Sequence, residues 1–204
     1  MKNWIQEYLK DQVRITQALS HEYGTEIEAW VGLLKRVRKD GKQIFICGNG
    51  GSAANASHFA VDLGKGASGR VAGFHGVQHL SSNQRSKRFR IVSLNDNVPW
   101  LTALGNDCSY DDVFVEQLKN YGQKGDLLIG VSVSGNSPNV VKAVEWANDV
   151  GVITLGLVGN RPDNRIAKIA TRVIVVNSGH YGRVEDAQMH VLHLLCYAFI
   201  EQQV

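Results

Sequence analysis

Cysteine is scarce in this chain of 204 residues and is scattered along it. Cys47, Cys108 and Cys196 are odd in number and form no CxxC pair, which argues against both a disulfide scaffold and a cysteine zinc site. A reduced, cytoplasmic protein is the expectation. Long hydrophobic runs are also lacking. No window approaches about 18 uninterrupted apolar residues, so no membrane span is expected. The start, "MKNWIQEYLKDQVRI", is an amphipathic pattern carrying acids and has no signal-peptide core. Nor is there much charge of one sign. The net charge of +3 and a pI near 8.8 are too mild to imply nucleic-acid binding.

What is present suits one α/β domain over residues 1–204, with 44% hydrophobic and 20% charged residues. Within 1–40, Trp4, Ile5, Tyr8, Leu9 and Val13 repeat at helical spacing, and so do Ile27, Trp30, Val31, Leu34 and Val37. These read as two leading helices, packed on a sheet face or on a neighbouring subunit. Four apolar runs (44–47, 89–94, 127–133 and 152–158) then alternate with helical stretches. A fifth, 172–176, precedes a long terminal helix from about Gly182. Short strands alternating with helices predict crossover units and a mostly parallel, five-stranded sheet.

One segment breaks the rhythm. From Leu63 to Asn95 there is no acid, while Lys65, Arg70, Arg85, Lys87, Arg88 and Arg90 all fall there. Residues 64–88 read as a long basic loop, either a solvated insert or an anion-contacting flap.

Two further stretches suit an anion. In "ICGNGGSAANASHF" a strand ends at Cys47 and meets Gly48, Asn49, Gly50, Gly51 and Ser52 before a helix. The first N–H groups of a helix lack internal partners, and glycines let backbone approach a ligand closely. Ser52 has the chemistry of a helix cap and of a phosphate donor. An ordinary turn and cap accounts for these residues equally well. In "VSVSGNSPNVV", Ser132, Val133, Ser134, Gly135, Asn136 and Ser137 precede Pro138, which fits a first helical turn. In a parallel sheet both loops sit at the C-terminal edge, where ligands bind.

Together, "GNGGS" (48–52), "GND" (105–107) and "SVSGNS" (132–137) resemble the sugar isomerase (SIS) domain family, most of all its bacterial sedoheptulose 7-phosphate isomerases. The resemblance implies a three-layer α/β/α sandwich, a homotetramer with interfacial active sites, and conversion of a phosphorylated ketose into an aldose. It places substrate contacts at Asn49, Gly50, Gly51, Ser52, Asn106, Asp107, Ser132, Val133, Ser134 and Ser137. It implies zinc held by His58, Asp62, Glu185 and His193, with Asp62 and His193 also carrying protons. Asp62 stands where relatives have glutamate and Glu185 where they have glutamine. Valine stands at 133 where threonine is common. The small phosphorylated sugar is the expected partner, with no membrane or nucleic acid.

The residues carry this chemistry independently up to a point. His58 and Asp62 are four apart on one helix face, suitable for a metal or for a base with its orienting partner. A packed histidine is the plainer reading of that pair alone. Glu185 and His193 are eight apart, about 12 Å of helix rise, which leaves open whether Glu185 is a ligand, a supporting group or one half of a site shared between subunits. Gln188 and His190 are nearby rivals. Other readings are a non-catalytic SIS regulator that senses sugar phosphates or associates with a replication initiator, and an isomerase for a different phosphosugar.

Overall fold

The computed structural model describes residues 1–68, 72–73, 76–77 and 88–201. The chain opens with α1 (Lys2–Asp40), β1 (Gln43–Cys47) and α2 (Gly51–Lys65). Two short strands follow, β2 (Ala72–Gly73) and β3 (Gly76–Val77), then β4 (Arg90–Ser93), α3 (Val98–Asp107) and α4 (Val115–Tyr121). The rest is β5 (Leu127–Ser132), α5 (Pro138–Asp149), β6 (Ile153–Gly159), α6 (Arg165–Ile169), β7 (Arg172–Val176) and α7 (Tyr181–Ile200).

The main sheet runs in the order β4-β1-β5-β6-β7, and every pairing in it is parallel. β5 is central and buried along its whole length, as the unbroken apolar reading of 127–132 requires. Two apolar cores separate the layers. One gathers Trp30, Leu34, Phe59, Leu63, Val191 and Leu195 from α1, α2 and α7 beneath one face of the sheet. The other gathers Phe45, Phe114, Leu118, Val140, Val144 and Ile166 on the opposite face. The expected three-layer α/β sandwich is therefore the observed one.

Two details differ from the sequence reading. The two leading helices are one helix of 39 residues. Ile15 and Leu19 are buried between the two apolar sets, and no proline interrupts them, so the periodicity carries through Gly24. The helix stops at Gly41, whose φ of 70° provides a left-handed cap. Second, the loop expected from residue 64 starts later. α2 continues through Lys65, and residues 66–68 make one further tight turn. Most of the expected basic flap, residues 69–71, 74–75 and 78–87, lies outside the described residues.

Topology positions the site. α2 follows β1 and α7 follows β7, so both begin at the C-terminal edge of the sheet and run parallel. Gly51 on α2 meets Glu185 on α7, and farther along His58 meets His193. The serine loop between β5 and α5 opens at the same edge.

Candidate active site

At that edge Asn49, Ser52, Ser132, Val133, Ser134, Ser137, Tyr181 and Glu185 enclose a cavity of about 70 Å³. Both glycine-and-hydroxyl loops therefore contribute to one space. The serine loop is held from behind. Ser132 Oγ accepts from Gly135 N at 3.1 Å and lies 3.1 Å from Ser137 Oγ, while Ser134 Oγ accepts from Asn136 N at 3.1 Å. Pro138 occupies the first helical turn of α5, as its missing N–H favours. The N-cap of α2 is Gly50, at φ 56°, rather than Ser52. Ser52 instead lies inside the helix, 2% exposed, and donates its hydroxyl to Gln188 Oε1 at 3.1 Å.

Asn49 is engaged too. Its amide exchanges two hydrogen bonds with Asn139, at 2.8 and 3.0 Å, and accepts a third from Tyr110 Oη at 3.2 Å. This reciprocal pair ties the first loop to the start of α5. Gly51 leaves the space that the Glu185 carboxylate occupies, and a Cβ there would displace that carboxylate. Burial chiefly, and the neighbouring Asp186 charge, push the Glu185 carboxyl above its ordinary range.

A second group lies farther along α2 and α7. His58 Nε2, Asp62 Oδ2 and His193 Nε2 form a triangle with sides of 3.0, 3.4 and 3.5 Å. Ligand atoms about 2.0–2.1 Å from a tetrahedral zinc lie about 3.3–3.4 Å apart, so this triangle has the dimensions of one face of such a site. Two imidazoles and a carboxylate leave a fourth position open, the pattern of a catalytic zinc rather than a structural one. The side chains of His58, Asp62 and His193 are 51%, 31% and 40% exposed, so the group is reachable from solvent. Desolvation, outweighing the Asp62 charge, and the adjoining His58 and His190 hold His193 below the ordinary histidine range. That favours the neutral imidazole needed by a base or a ligand.

Glu185 is not part of this group, the only cluster of its kind among the described residues. It sits about 12 Å up α7 from His193, against Gly51, and its backbone carbonyl accepts from Asn55 Nδ2 at 2.9 Å. Asn106 and Asp107 end α3, exposed and bonded to each other at 2.8 Å, and line neither the cavity nor the triangle. Asn139, Tyr110 and Tyr181 were not anticipated as parts of the site, and Gln188, read only as a rival to the α7 site residues, proves to be the buried partner of Ser52.

A larger cavity of about 540 Å³ lies beside the edge strand β4, lined in part by Phe45, Arg90, Gln117, Tyr121 and Asp126. Several of its polar groups are already engaged. Asp126 accepts from Gln43 N and Gln123 N, Gln117 donates to Leu94 O and Val113 O, and Arg90 donates to Gly41 O. None of the site residues read from the sequence lines it.

Known proteins share this fold. The family model described as SIS domain matches residues 7–159. A phosphoheptose isomerase of Geobacter metallireducens is 33% identical over 196 residues, covering 96% of this chain and 95% of its own. One from Helicobacter pylori is 38% identical over 164 residues, or 80% of this chain and 77% of its own. Among solved structures, the phosphoheptose isomerase of Neisseria gonorrhoeae superposes with a TM-score of 0.83 at 26% identity, covering 100% of this chain and 99% of that one. That of Francisella tularensis shares the fold, with a TM-score of 0.81 at 20% identity over 99% and 98% of the two chains. Family model and relatives agree, and the chain belongs to the SIS domain family, among relatives that are phosphoheptose isomerases.

Proposed function

We propose that this protein interconverts a phosphorylated ketose and an aldose, with sedoheptulose 7-phosphate as the ketose and glycero-manno-heptose 7-phosphate as the aldose. One observation carries the reading: the serine-lined cavity and the His58–Asp62–His193 triangle lie in line along the parallel α2–α7 pair. Ser52 and His58 are six residues apart, about 9 Å of helix, and Glu185 and His193 about 12 Å. An extended sugar phosphate of C5 to C7 bridges such a span, its phosphate on the serine loop and its reacting carbons at the triangle. The phosphoheptose isomerase relatives favour the C7 ester.

The chemistry then divides between the two ends. Ser132, Ser134 and Ser137, with the backbone N–H groups around them, hold the phosphate and fix the sugar's register. At the other end a proton must leave the carbon beside the carbonyl while the carbonyl oxygen gains one, giving an enediol; the former carbonyl carbon is then protonated while the other enediol hydroxyl gives up its proton and becomes the aldehyde oxygen. Asp62 and His193 exchange these protons. His58, Asp62 and His193 would hold zinc, which when bound polarises the carbonyl and stabilises the enediolate charge. Glu185 lines the phosphate end and is not given a ligand role here.

The protein is also proposed to assemble as a homotetramer in the cytoplasm with the site at a subunit interface. Trp4, Ile5, Leu9 and Val13 are exposed along the first turns of α1, and Val61, Leu194 and Tyr197 are exposed around the His58–His193 pair. A patch of that kind marks an interaction surface. Among the described residues no helix is long and apolar enough to cross a membrane. Leu9→Glu should lower the mass measured by light scattering; an unchanged tetramer would remove this α1 face from the assembly.

The function is tested by incubating the chain with C5 to C7 ketose phosphates in D₂O. Turnover with deuterium entering the transferred carbon position is expected, fastest for the C7 ester. Zinc binding by equilibrium dialysis should fall in His58→Ala. No turnover and no exchange with any of the esters would defeat the isomerase reading.

A further inference from the structure

Gln188 is wholly buried on α7, and its amide orientation is determined. Its Nε2 donates to Leu157 O at 3.1 Å. A backbone carbonyl can only accept, so the other end of the amide, Oε1, faces Ser52 as an acceptor. Ser52 carries a single hydroxyl proton, and it goes to that oxygen. What remains on Ser52 Oγ for the cavity is lone pairs. If the hydroxyl turned toward a phosphate, Gln188 Oε1 would be left buried without a donor, which proteins avoid.

The same wall carries Glu185, whose carboxylate oxygens accept when ionised. The opposite wall differs. Ser134 Oγ already accepts from Asn136 N, and Ser132 Oγ from Gly135 N. Ser132 Oγ lies 3.1 Å from Ser137 Oγ and 3.4 Å from Ser134 Oγ, contacts that use two of the loop's three hydroxyl protons and leave the third for the cavity. The cavity is thus polarised, with a hydroxyl donor left on the β5–α5 loop and acceptors on the α2–α7 wall.

We propose that Gln188 is a positioning residue that makes Ser52 a hydrogen-bond acceptor, so that the Ser52–Glu185 wall selects a ligand bearing a hydroxyl donor next to its phosphate, while the phosphate itself is held without the Ser52 hydroxyl. This deepens the isomerase reading and rests on it for the identity of the sugar. It also reverses the role the sequence suggested for Ser52, which was to donate to the phosphate. Any contact of residue 52 with the phosphate comes from its backbone N–H.

The test is titration calorimetry on the full chain with two probes, inorganic phosphate and sedoheptulose 7-phosphate. Ser52→Ala should leave the phosphate Kd within about twofold and raise the sugar-ester Kd about fivefold, the size of one ordinary hydrogen bond. Ser134→Ala should weaken both probes about fivefold. Gln188→Met keeps the volume and returns the Ser52 proton to the cavity, so phosphate binds more tightly and the sugar ester more weakly. The proposal is overturned if Ser52→Ala weakens inorganic phosphate as much as Ser134→Ala does, if Gln188→Met weakens both probes alike, or if the unaltered protein binds no phosphate. Should Gln188→Met fail to fold, the Ser52→Ala comparison decides alone. The phosphate arm needs no sugar substrate. A protein that passes it yet turns over no ketose phosphate would refute the isomerase reading and not the Gln188 role.

Discussion

Replacing His193 with alanine is expected to lower isomerase turnover by about 10²- to 10⁴-fold, the usual contribution of a positioned proton carrier. Binding of the sugar phosphate should change little. The expectation follows from the separation of the two ends of the site. His193 touches His58 and Asp62, and the serine loop lies about two turns up α7 with no contact to it. Loss of the imbalance between turnover and binding would speak against this division of labour. If calorimetric affinity fell as steeply as turnover, His193 would be holding the fold or the whole ligand. If turnover survived, another group would be moving the proton, and His190, whose Nδ1 lies 3.5 Å from Thr16 Oγ1 on α1, would be the first to examine. The side chain of His193 is only half buried, so its removal leaves little cavity and the protein should remain folded.

How much of this was readable in advance depends on whether a feature is local. The apolar runs at 44–47, 89–94, 127–133, 152–158 and 172–176 stand out between glycine turns and helical patterns, and the structure places a strand of one parallel sheet within a residue or so of each. The two loops were legible because glycine and hydroxyl residues at a strand end are a local signal. His58 and Asp62 share a face at four-residue spacing, so their pairing could be read from the helix alone. The distance from either to His193 is more than a hundred residues, and only the family resemblance joined them. Asn106 and Asp107 show the opposite limit: the resemblance named them, and within one chain they reach neither end of the site.

What was missed concerns polar groups on buried helix faces: Asn139 altogether, and for Gln188, named only as a rival on α7, the role. Asn139 is 1% exposed and Gln188 fully buried, and neither belongs to a recognisable motif. A signal existed for Gln188. Val184, Gln188, Val191 and Leu195 fall on one helical stripe, and a polar residue inside an apolar stripe requires a buried partner. The sequence could say that such a partner exists. It could not say that the partner is Ser52, because that contact depends on how β1 and β7 are ordered in the sheet.

Gly135→Ala is expected to cost about 2–4 kcal/mol of stability and, for a chain of this length, to lower the melting temperature by about 5–15 °C. Two effects add. Gly135 has φ 66°, a left-handed conformation that an L side chain adopts at a cost. Its missing Cβ also makes room for the Asn164 side chain, which a methyl group would overlap. Asn164 cannot simply withdraw. Its Oδ1 accepts from Ala167 N at 2.9 Å, capping α6, and its Nδ2 donates to Gly159 O at 2.9 Å. Gly135 O in turn accepts from Ile166 N at 3.0 Å, so loop and helix are joined on both sides of the contact. Because Gly135 N also donates to Ser132 Oγ, strain at this point passes to the phosphate loop, and inorganic phosphate should bind more weakly. A double-mutant cycle separates the two causes: with Asn164→Ala present the overlap is gone, and Gly135→Ala should then cost only the backbone penalty, so the two losses sum to more than the double variant shows. Additive losses would leave the left-handed backbone as the whole effect, and an unchanged melting temperature would mean that the loop accommodates alanine by moving away from Asn164.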